Sequence, residues 1–244
     1  MSLMNKAYVF DVDGTLTPSR GRMDFNFNKF FYEFCLHNDV YLVTGSDKSK
    51  TVEQVGNIIY SGAKRVYNCS GNDAYENFTN VYRNEWALDE KPWKYLENRL
   101  NHSNFPQKSG HHFDERPGLL NFSIVGRKCT AQQRKDYVLY DTYHNEREDI
   151  SNEFNTAFGE EYNIMSTVAG ETGIDITQQG CGKAQILKDL DYEEIIFFGD
   201  KTMAGGNDHD IAQALIGTGH TVFAVKEWQD TYRILTQMHE THTS

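Results

Sequence analysis

The sequence predicts an α/β protein with a Rossmann-like core, built on a parallel sheet, and an inserted α+β cap domain. Short apolar runs alternate with amphipathic helices at both ends of the chain, as in parallel sheets with helices on both faces. Between about residues 82 and 180 this alternation is replaced by longer helices and strand pairs. A length of 244 residues also exceeds one typical domain. We therefore predict a core in two parts, residues 1–81 and 181–244, and a cap at residues 82–180.

The first core part begins with a strand and an amphipathic helix. Residues 7–10 form a short apolar run that ends abruptly at Asp11, which is typical of a buried strand. Aromatic residues recur at helical spacing over residues 24–37 and predict a helix there. The pattern then predicts a strand over 39–43, a helix near 47–61 and a strand over 65–68.

The remaining predicted elements belong to the cap and to the second core part. For the cap we predict a helix over 86–104, a strand over 117–125, one or two helices over 130–157 and strand pairs over 162–177. For the second core part we predict a helix over 182–190, a strand over 194–198, a helix over 208–216, a strand over 221–225 and a C-terminal helix.

The composition excludes several classes of function. Lys and Arg number 24 against 35 Asp and Glu, a formal charge of −11 that disfavours nucleic acid and anionic membranes as partners. No apolar run approaches the ~18 residues of a membrane span. The four cysteines form no CxxC pair, so neither zinc nor a disulfide framework is indicated. We expect a soluble, cytoplasmic protein in a reducing compartment.

Carboxylates follow three of the predicted core strands. Asp11 and Asp13 follow the first strand, Ser46 and Asp47 the second, and Asp200 precedes Asp208 after a later one. Because ligands bind at the carboxyl ends of parallel strands, we expect these groups to converge in one crevice. Several carboxylates without a catalytic triad or a phosphate-binding Gly-Lys loop favour Mg²⁺ and phosphoryl chemistry.

In that interpretation Asp11 attacks phosphorus, and Asp13 protonates the leaving oxygen and later deprotonates the incoming one. Thr15 and Ser46 are candidate donors to phosphate oxygens, and Lys183 is placed to offset negative charge. The short string around Asp13 is equally typical of a strand followed by a structural turn.

Longer segments of the chain resemble a known family. Residues 10–17, FDVDGTLT, resemble the first motif of the haloacid dehalogenase superfamily. Residues 197–209, FFGDKTMAGGNDH, resemble the signature of the eukaryotic-type phosphomannomutase family. Residues 116–127, RPGLLNFSIVGR, are similar to its cap segment. A match of this length is more specific than a lone catalytic motif.

The resemblance implies a role for each matching position. The catalytic residues would be Asp11, Asp13, Ser46 and Lys183; the substrate-binding residues Arg20, Arg116, Arg127, Arg134 and Asp175; and the metal-site residues Asp11, Asp13, Asp200 and Asp208. It further implies Mg²⁺ as cofactor, a hexose 1,6-bisphosphate as activator, a sugar phosphate as substrate and a homodimer formed through the cap. Clustered guanidinium groups in an acidic chain suit a second, non-reacting phosphate.

Two positions depart from the family pattern. Gly173 stands where a serine is expected, and Thr44 stands where a glycine is usual. The first hypothesis is a phosphomannomutase that interconverts mannose 6-phosphate and mannose 1-phosphate, but the departures keep open a sugar-phosphate phosphatase as the alternative. A binding module without turnover is a third hypothesis, which is disfavoured because the chain retains Asp11, Asp13, Lys183 and Asp200.

Overall fold

The computed structural model describes residues 5–243, which form two compact units. The core unit comprises the chain up to Arg83, Lys183–Ala204 and the chain from Asp208 onward. The cap unit comprises Asn84–Gly182 and Gly205–Asn207. No helix in residues 5–243 is long and apolar enough to cross a membrane.

Strands and helices alternate along the described chain. The strands are β1 (Lys6–Phe10), β2 (Asp39–Val43), β3 (Arg65–Asn68), β4 (Asp73–Glu76), β5 (Thr79–Arg83), β6 (Phe113–Arg116), β7 (Leu119–Phe122), β8 (Ile164–Ala169), β9 (Gly173–Gln178), β10 (Glu194–Gly199) and β11 (Thr221–Ala224). The α-helices are α1 (Phe25–His37), α2 (Lys48–Gly62), α3 (Glu90–His102), α4 (Ala131–His144), α5 (Glu146–Tyr162), α6 (His209–Leu215) and α7 (Trp228–Thr243).

The core sheet has the strand order β11-β10-β1-β2-β3-β4-β5. The first five strands in this order are parallel, which confirms the predicted α/β class with its parallel sheet. β4 and β5 extend it as an antiparallel hairpin that the sequence pattern did not predict. β5 is exposed along its whole length, so it lacks the apolar alternation that identifies a strand.

β1 is apolar along its length because both of its faces are buried. Tyr8 and Phe10 belong to one hydrophobic cluster, and Ala7 and Val9 belong to a second cluster. Successive side chains of a strand point to opposite faces, so these two clusters lie on the two faces of the sheet. β1 therefore delivers the residues that follow it to the buried carboxyl edge of the sheet.

Local signals set the helix boundaries, with two departures from the predicted pattern. The Asp24 carboxylate caps α1 by accepting hydrogen bonds from the backbone N–H groups of Asn26 and Phe27. α2 is kinked at Gly56, whose φ of 81° is left-handed. The helix predicted over 182–190 is a 3₁₀-helix at Lys183–Asp189.

The cap sheet is antiparallel, with the strand order β6-β7-β9-β8. One face packs against the cap helices through residues such as Leu120, Phe122 and Ile176. Asp114, Asn121, Asp175 and Thr167 align across the four strands on the opposite face, which we call the polar face. The strand predicted over 117–125 is shorter in the structure because a turn at residues 117–118 pairs β7 with β6, which was not predicted.

Candidate active site

Asp11 is the first residue after β1, and the sheet itself holds its backbone. Its N–H donates to the carbonyl of Phe198 on β10 over 2.9 Å, which continues the parallel ladder one residue beyond the strand. The Asp11 side chain is buried, with 2% exposure. Lys183 Nζ donates to Asp11 Oδ1 over 2.6 Å and to Asp208 Oδ1 over 2.6 Å. Lys183 thus joins the first strand end to the loop that follows β10.

Asp11, Asp200 and Asp208 form a carboxylate cluster, with one oxygen from each lying within 4.8 Å of the others. Lys183 forms ion pairs with Asp11 and Asp208, whereas Asp200 forms no ion pair among the described residues and feels Lys183 and Lys201 only at longer range. Both oxygens of Asp208 already accept hydrogen bonds, from Lys183 Nζ and from the Lys201 N–H. By contrast, Asp11 Oδ2 is buried with no hydrogen-bond partner among the described residues.

The pKa values in the cluster follow from burial and repulsion. Burial raises the pKa of Asp11 well above its ordinary value, and Asp208 and Asp200 add to this against the opposing charge of Lys183. Burial, reinforced by Asp208, likewise raises the pKa of Asp200 to about 6. Burial by itself would lower the pKa of Lys183, but Asp11 and Asp208 outweigh it, so its pKa lies above the ordinary value and the ammonium stays charged.

Gly14 lets the loop after β1 pass against Asp200. Its φ of +86° is left-handed, where a side chain is strained. A Cβ built at this position would lie 2.8 Å from Asp200 Cγ and would also collide with the Oδ2 atom of the same side chain. The glycine is therefore needed for backbone conformation and for space.

The donor set fits a hard divalent cation. Mg²⁺ prefers carboxylate and water oxygens and is bound in proteins by one or two carboxylates, with substrate phosphate completing the site. The Asp11 and Asp200 carboxylates supply oxygens of this kind, and no hydrogen bond to Asp200 is present among the described residues. A cation beside them would also offset the burial and the repulsion by Asp208 that together raise the pKa of Asp200.

The Asp13 carboxylate is held by a separate set of donors. Oδ1 accepts from the Arg20 N–H over 2.7 Å and from Gln54 Nε2 over 2.9 Å, and Oδ2 accepts from Ser46 Oγ over 3.3 Å. The structure thus brings Asp13 and Ser46 together but leaves Asp13 out of the carboxylate cluster. Sequence reasoning missed Gln54, because an isolated glutamine within a helix carries no motif.

Three other sequence candidates in the core are placed as follows. Arg20 is exposed and reaches Asp13 through its backbone N–H. Thr15 is fully buried, and its hydroxyl has no partner among the described residues. Asp47 caps α2 by accepting from the Lys50 N–H over 2.8 Å, which is a structural role.

Two of the candidate cap arginines meet at one carboxylate. Arg116 donates to Asp114 Oδ2 through Nη2 at 2.5 Å and through Nε at 3.1 Å. Arg127 Nη2 lies 3.2 Å from the same oxygen. Burial alone would raise the pKa of Asp114, but Arg116 and Arg127 outweigh it and hold this pKa below its ordinary value. Asp114 therefore stays ionised as an internal counterion, a role that the sequence alone did not reveal.

The two remaining cap candidates, Arg134 and Asp175, contact partners other than Asp114. Arg134 Nη1 lies 3.8 Å from Glu171 Oε2, which is a longer ion pair than the two that Asp114 forms. Asp175 is half-buried on the polar face, where Oδ1 accepts from Asn121 Nδ2 over 2.5 Å. The cap thus carries guanidinium groups for an anion and a carboxylate–amide pair suited to hydroxyl groups.

Comparisons with known proteins identify the family of the chain. Residues 27–241 match the sequence profile of the eukaryotic phosphomannomutase family. A phosphomannomutase of Dendrobium officinale is 34% identical over 221 residues, which cover 88% of this chain and 87% of the relative. A phosphomannomutase of Solanum lycopersicum is 32% identical over 226 residues, covering 90% and 89% of the two chains.

The fold also matches a solved structure of low sequence identity. An N-terminally truncated, IMP-bound IMP-nucleotidase of Plasmodium falciparum superposes with a TM-score of 0.64 at 14% identity. The match covers 97% of this chain and 68% of that one, and it shows a shared fold. Profile and relatives confirm the predicted family resemblance: the chain belongs to the eukaryotic phosphomannomutase family, a family of isomerase-type phosphotransferases.

Proposed function

We propose that this protein is a Mg²⁺-dependent phosphohexomutase that interconverts mannose 6-phosphate and mannose 1-phosphate. The observation that carries the proposal is Asp11, a buried carboxylate with one oxygen bound by Lys183 and the other without a partner in residues 5–243. A nucleophile needs one oxygen held and one oxygen available to the reacting atom. Family membership supports the hexose phosphate as the substrate class.

In the first half-reaction Asp11 Oδ2 attacks the phosphorus of a hexose 1,6-bisphosphate, and the bond from phosphorus to the sugar oxygen breaks. Asp13 donates a proton to that leaving oxygen, which gives a hexose monophosphate and an aspartyl-phosphate on Asp11. In the second half-reaction the other hydroxyl position of a hexose monophosphate attacks the aspartyl-phosphate, and Asp13 takes up the proton. The bisphosphate is regenerated, so it acts as an activator that is not consumed.

Lys183 would stabilise the nucleophile through Asp11 Oδ1, the oxygen that does not attack. Its ammonium contacts Asp11 and Asp208 at 2.6 Å and stays charged, so it offsets negative charge that gathers at Asp11. Ser46 and Thr15 are the proposed donors to phosphoryl oxygens, supported by the buried, unpartnered Thr15 hydroxyl. In the structure the Ser46 hydroxyl donates its one hydrogen to Asp13, so it has to turn away from Asp13 to reach a phosphoryl oxygen.

Asp11 and Asp200 would hold Mg²⁺. Asp208 accepts hydrogen bonds from Lys183 and from the Lys201 N–H, so it holds Lys183 and the loop after β10 in place. When bound, the cation neutralises negative charge on the phosphoryl oxygens and favours their approach to a carboxylate. Asp13, which the family resemblance also implied as a metal residue, is held in position by three donors, and its acid/base role is proposed from that resemblance.

The cap arginines would bind the phosphate that does not react. Arg116 and Arg127 are fixed as a pair by Asp114, and Arg134 adds a third guanidinium. Planar guanidinium groups pair with phosphate oxygens bidentately, which suits a site that must accept either phosphate of the hexose. Arg20 is the further substrate-binding candidate from the core, and Asp175 is the candidate hydroxyl ligand from the cap.

A homodimer through the cap is the proposed assembly. Leu139 and Tyr143 lie four residues apart on α4, with exposures of 59% and 77%. Two large apolar side chains on one exposed helix face favour a protein contact. Sedimentation equilibrium should report a dimer that Leu139→Glu converts to a monomer; a wild-type monomer at micromolar concentration would contradict this assembly.

The mutase is tested by supplying mannose 1-phosphate, Mg²⁺ and a catalytic amount of glucose 1,6-bisphosphate, and following mannose 6-phosphate and inorganic phosphate in parallel. We expect isomer formation to exceed phosphate release, and to require both Mg²⁺ and the bisphosphate. Phosphate release without isomer formation would instead establish the alternative, a sugar-phosphate phosphatase on the same scaffold.

A further inference from the structure

Asn121 lies near the middle of the polar face, and Asp175 fixes the orientation of its amide. Nδ2 donates to Asp175 Oδ1 over 2.5 Å. Because an ionised carboxylate only accepts hydrogen bonds, the amide must turn its nitrogen toward Asp175. This leaves Oδ1 of Asn121 as an acceptor on the other branch of the amide.

That acceptor has no partner in the described structure. Asn121 is 5% exposed, and its Oδ1 is buried without a hydrogen bond among the described residues. A buried polar atom without a partner costs free energy, so such atoms call for a structural or functional explanation. Leaving Oδ1 without a partner while Nδ2 holds Asp175 points to a positioning role for this amide.

Gly173 provides the space in which this amide lies. A Cβ at residue 173 would stand 2.5 Å from Asn121 Nδ2 and 3.1 Å from Asn121 Oδ1, closer than side-chain atoms tolerate. The Gly173 carbonyl accepts a hydrogen bond from Arg147 Nη1 over 3.4 Å, and Arg147 Nε is bonded in turn to Asp141 Oδ2 over 2.8 Å. With the backbone held in this way, a side chain at residue 173 would have to displace the amide.

Asp175 retains an oxygen for a ligand while Asn121 holds the other. The side chain is half-buried, and no hydrogen bond to Oδ2 is present among the described residues. A carboxylate fixed through one oxygen offers the second in a defined direction, which favours hydroxyl groups of one stereochemistry over another.

We propose that Asn121 is a positioning residue for sugar recognition, which directs Asp175 Oδ2 toward a hexose hydroxyl and occupies space that exists because residue 173 is glycine. The inference rests on the proposed function in one respect, namely that the substrate is a hexose phosphate. Asn121, Gly173 and Asp175 therefore act as one unit.

The test compares Asn121→Ala, Gly173→Ala and the double variant on mannose 1-phosphate, glucose 1-phosphate and p-nitrophenyl phosphate. Each single variant should raise KM for the preferred hexose phosphate about tenfold, the effect of losing one charge-assisted hydrogen bond. The preference for one epimer should narrow, while kcat changes less and the aryl phosphate is unaffected. Because Gly173 acts through Asn121, the double variant should be no worse than Asn121→Ala.

Two matched controls come from α5. Asn152 is exposed, and a Cβ at Gly159 would meet nothing closer than 3.5 Å, so Asn152→Ala and Gly159→Ala should leave KM unchanged. If Asn121→Ala fails to fold, Gly173→Ala carries the test with the asparagine retained.

The outcomes separate this inference from the proposed function. Folded variants with unchanged KM and unchanged epimer preference would overturn the role of Asn121. Equal losses on the hexose and aryl phosphates would also overturn it, since the effect would then be structural. A wild-type protein that hydrolyses hexose phosphates without isomerising them would refute the mutase but leave the KM comparison valid. A wild-type protein inactive on every hexose phosphate would overturn both.

Discussion

Asp200→Asn should stabilise the metal-free protein while it removes the activity. The Asp200 carboxyl has an ordinary pKa of 3.8, which burial and the neighbouring Asp208 raise to about 6 in the fold. A raised carboxyl pKa means that the folded state binds the proton more tightly than the unfolded chain does. Asp200 therefore opposes folding fully above pH 6 and not at all below about pH 4.

The magnitude follows from the difference between the two pKa values. At about 1.36 kcal/mol per pH unit, a rise from 3.8 to about 6 costs the folded state about 3 kcal/mol at pH 7. An amide at residue 200 keeps the shape and removes the charge. We expect the variant to gain up to about 3 kcal/mol in unfolding free energy without metal, and the gain to fade as the pH falls toward 4.

Urea unfolding of both proteins with EDTA, at pH 7 and at pH 5, measures this difference. Added Mg²⁺ should then stabilise the wild type by mass action and the variant much less, because one of the two open carboxylates is missing. A variant less stable than the wild type without metal would refute the reasoning, and so would equal stabilisation of both proteins by Mg²⁺.

Three further predictions concern the nucleophile, its lysine and the cap arginines. Asp11→Asn should abolish the acid-stable, alkali-labile phosphoenzyme seen after quenching with labelled substrate, with folding intact; normal labelling would contradict the nucleophile assignment. Lys183→Met should cost about 3–5 kcal/mol in urea unfolding, because Asp11 and Asp208 are left buried without their shared partner, and a loss below about 1 kcal/mol would contradict this. Arg127→Ala should lower kcat/KM for the sugar phosphate on the order of 10²-fold and leave p-nitrophenyl phosphate hydrolysis unchanged; equal losses would withdraw the phosphate-binding role.

Local sequence determined where the candidate core residues stand. β1 reads as a continuous apolar run because both faces of the sheet are buried, and a parallel strand must end where polar residues begin. Asp11 is therefore placed at the carboxyl edge by a pattern that spans only a few residues. The α/β class was predicted from such patterns and the family from the resemblance of longer motifs, and both are confirmed. The individual catalytic roles stay predictions.

Which side chains face one another depended on tertiary contacts. Asp13 is only two residues from Asp11, yet it lies with Ser46 and Gln54, 33 and 41 residues away in sequence, while Asp11 lies with Lys183, 172 residues away. No local pattern encodes such pairs, because strand order and side-chain packing bring them together.

The cap shows the same limit at closer range. Asp114 and Arg116 are neighbours on one strand. Asn121 and Asp175 lie on two strands and are 54 residues apart in sequence. In the sequence, Gly173 indicates that a serine hydroxyl is missing. In the fold, the missing side chain leaves room for the Asn121 amide. The sequence shows which side-chain atoms are missing at residue 173. Which group fills the resulting space depends on the side chains that pack beside it on the neighbouring strand, and these are fixed only in the folded sheet.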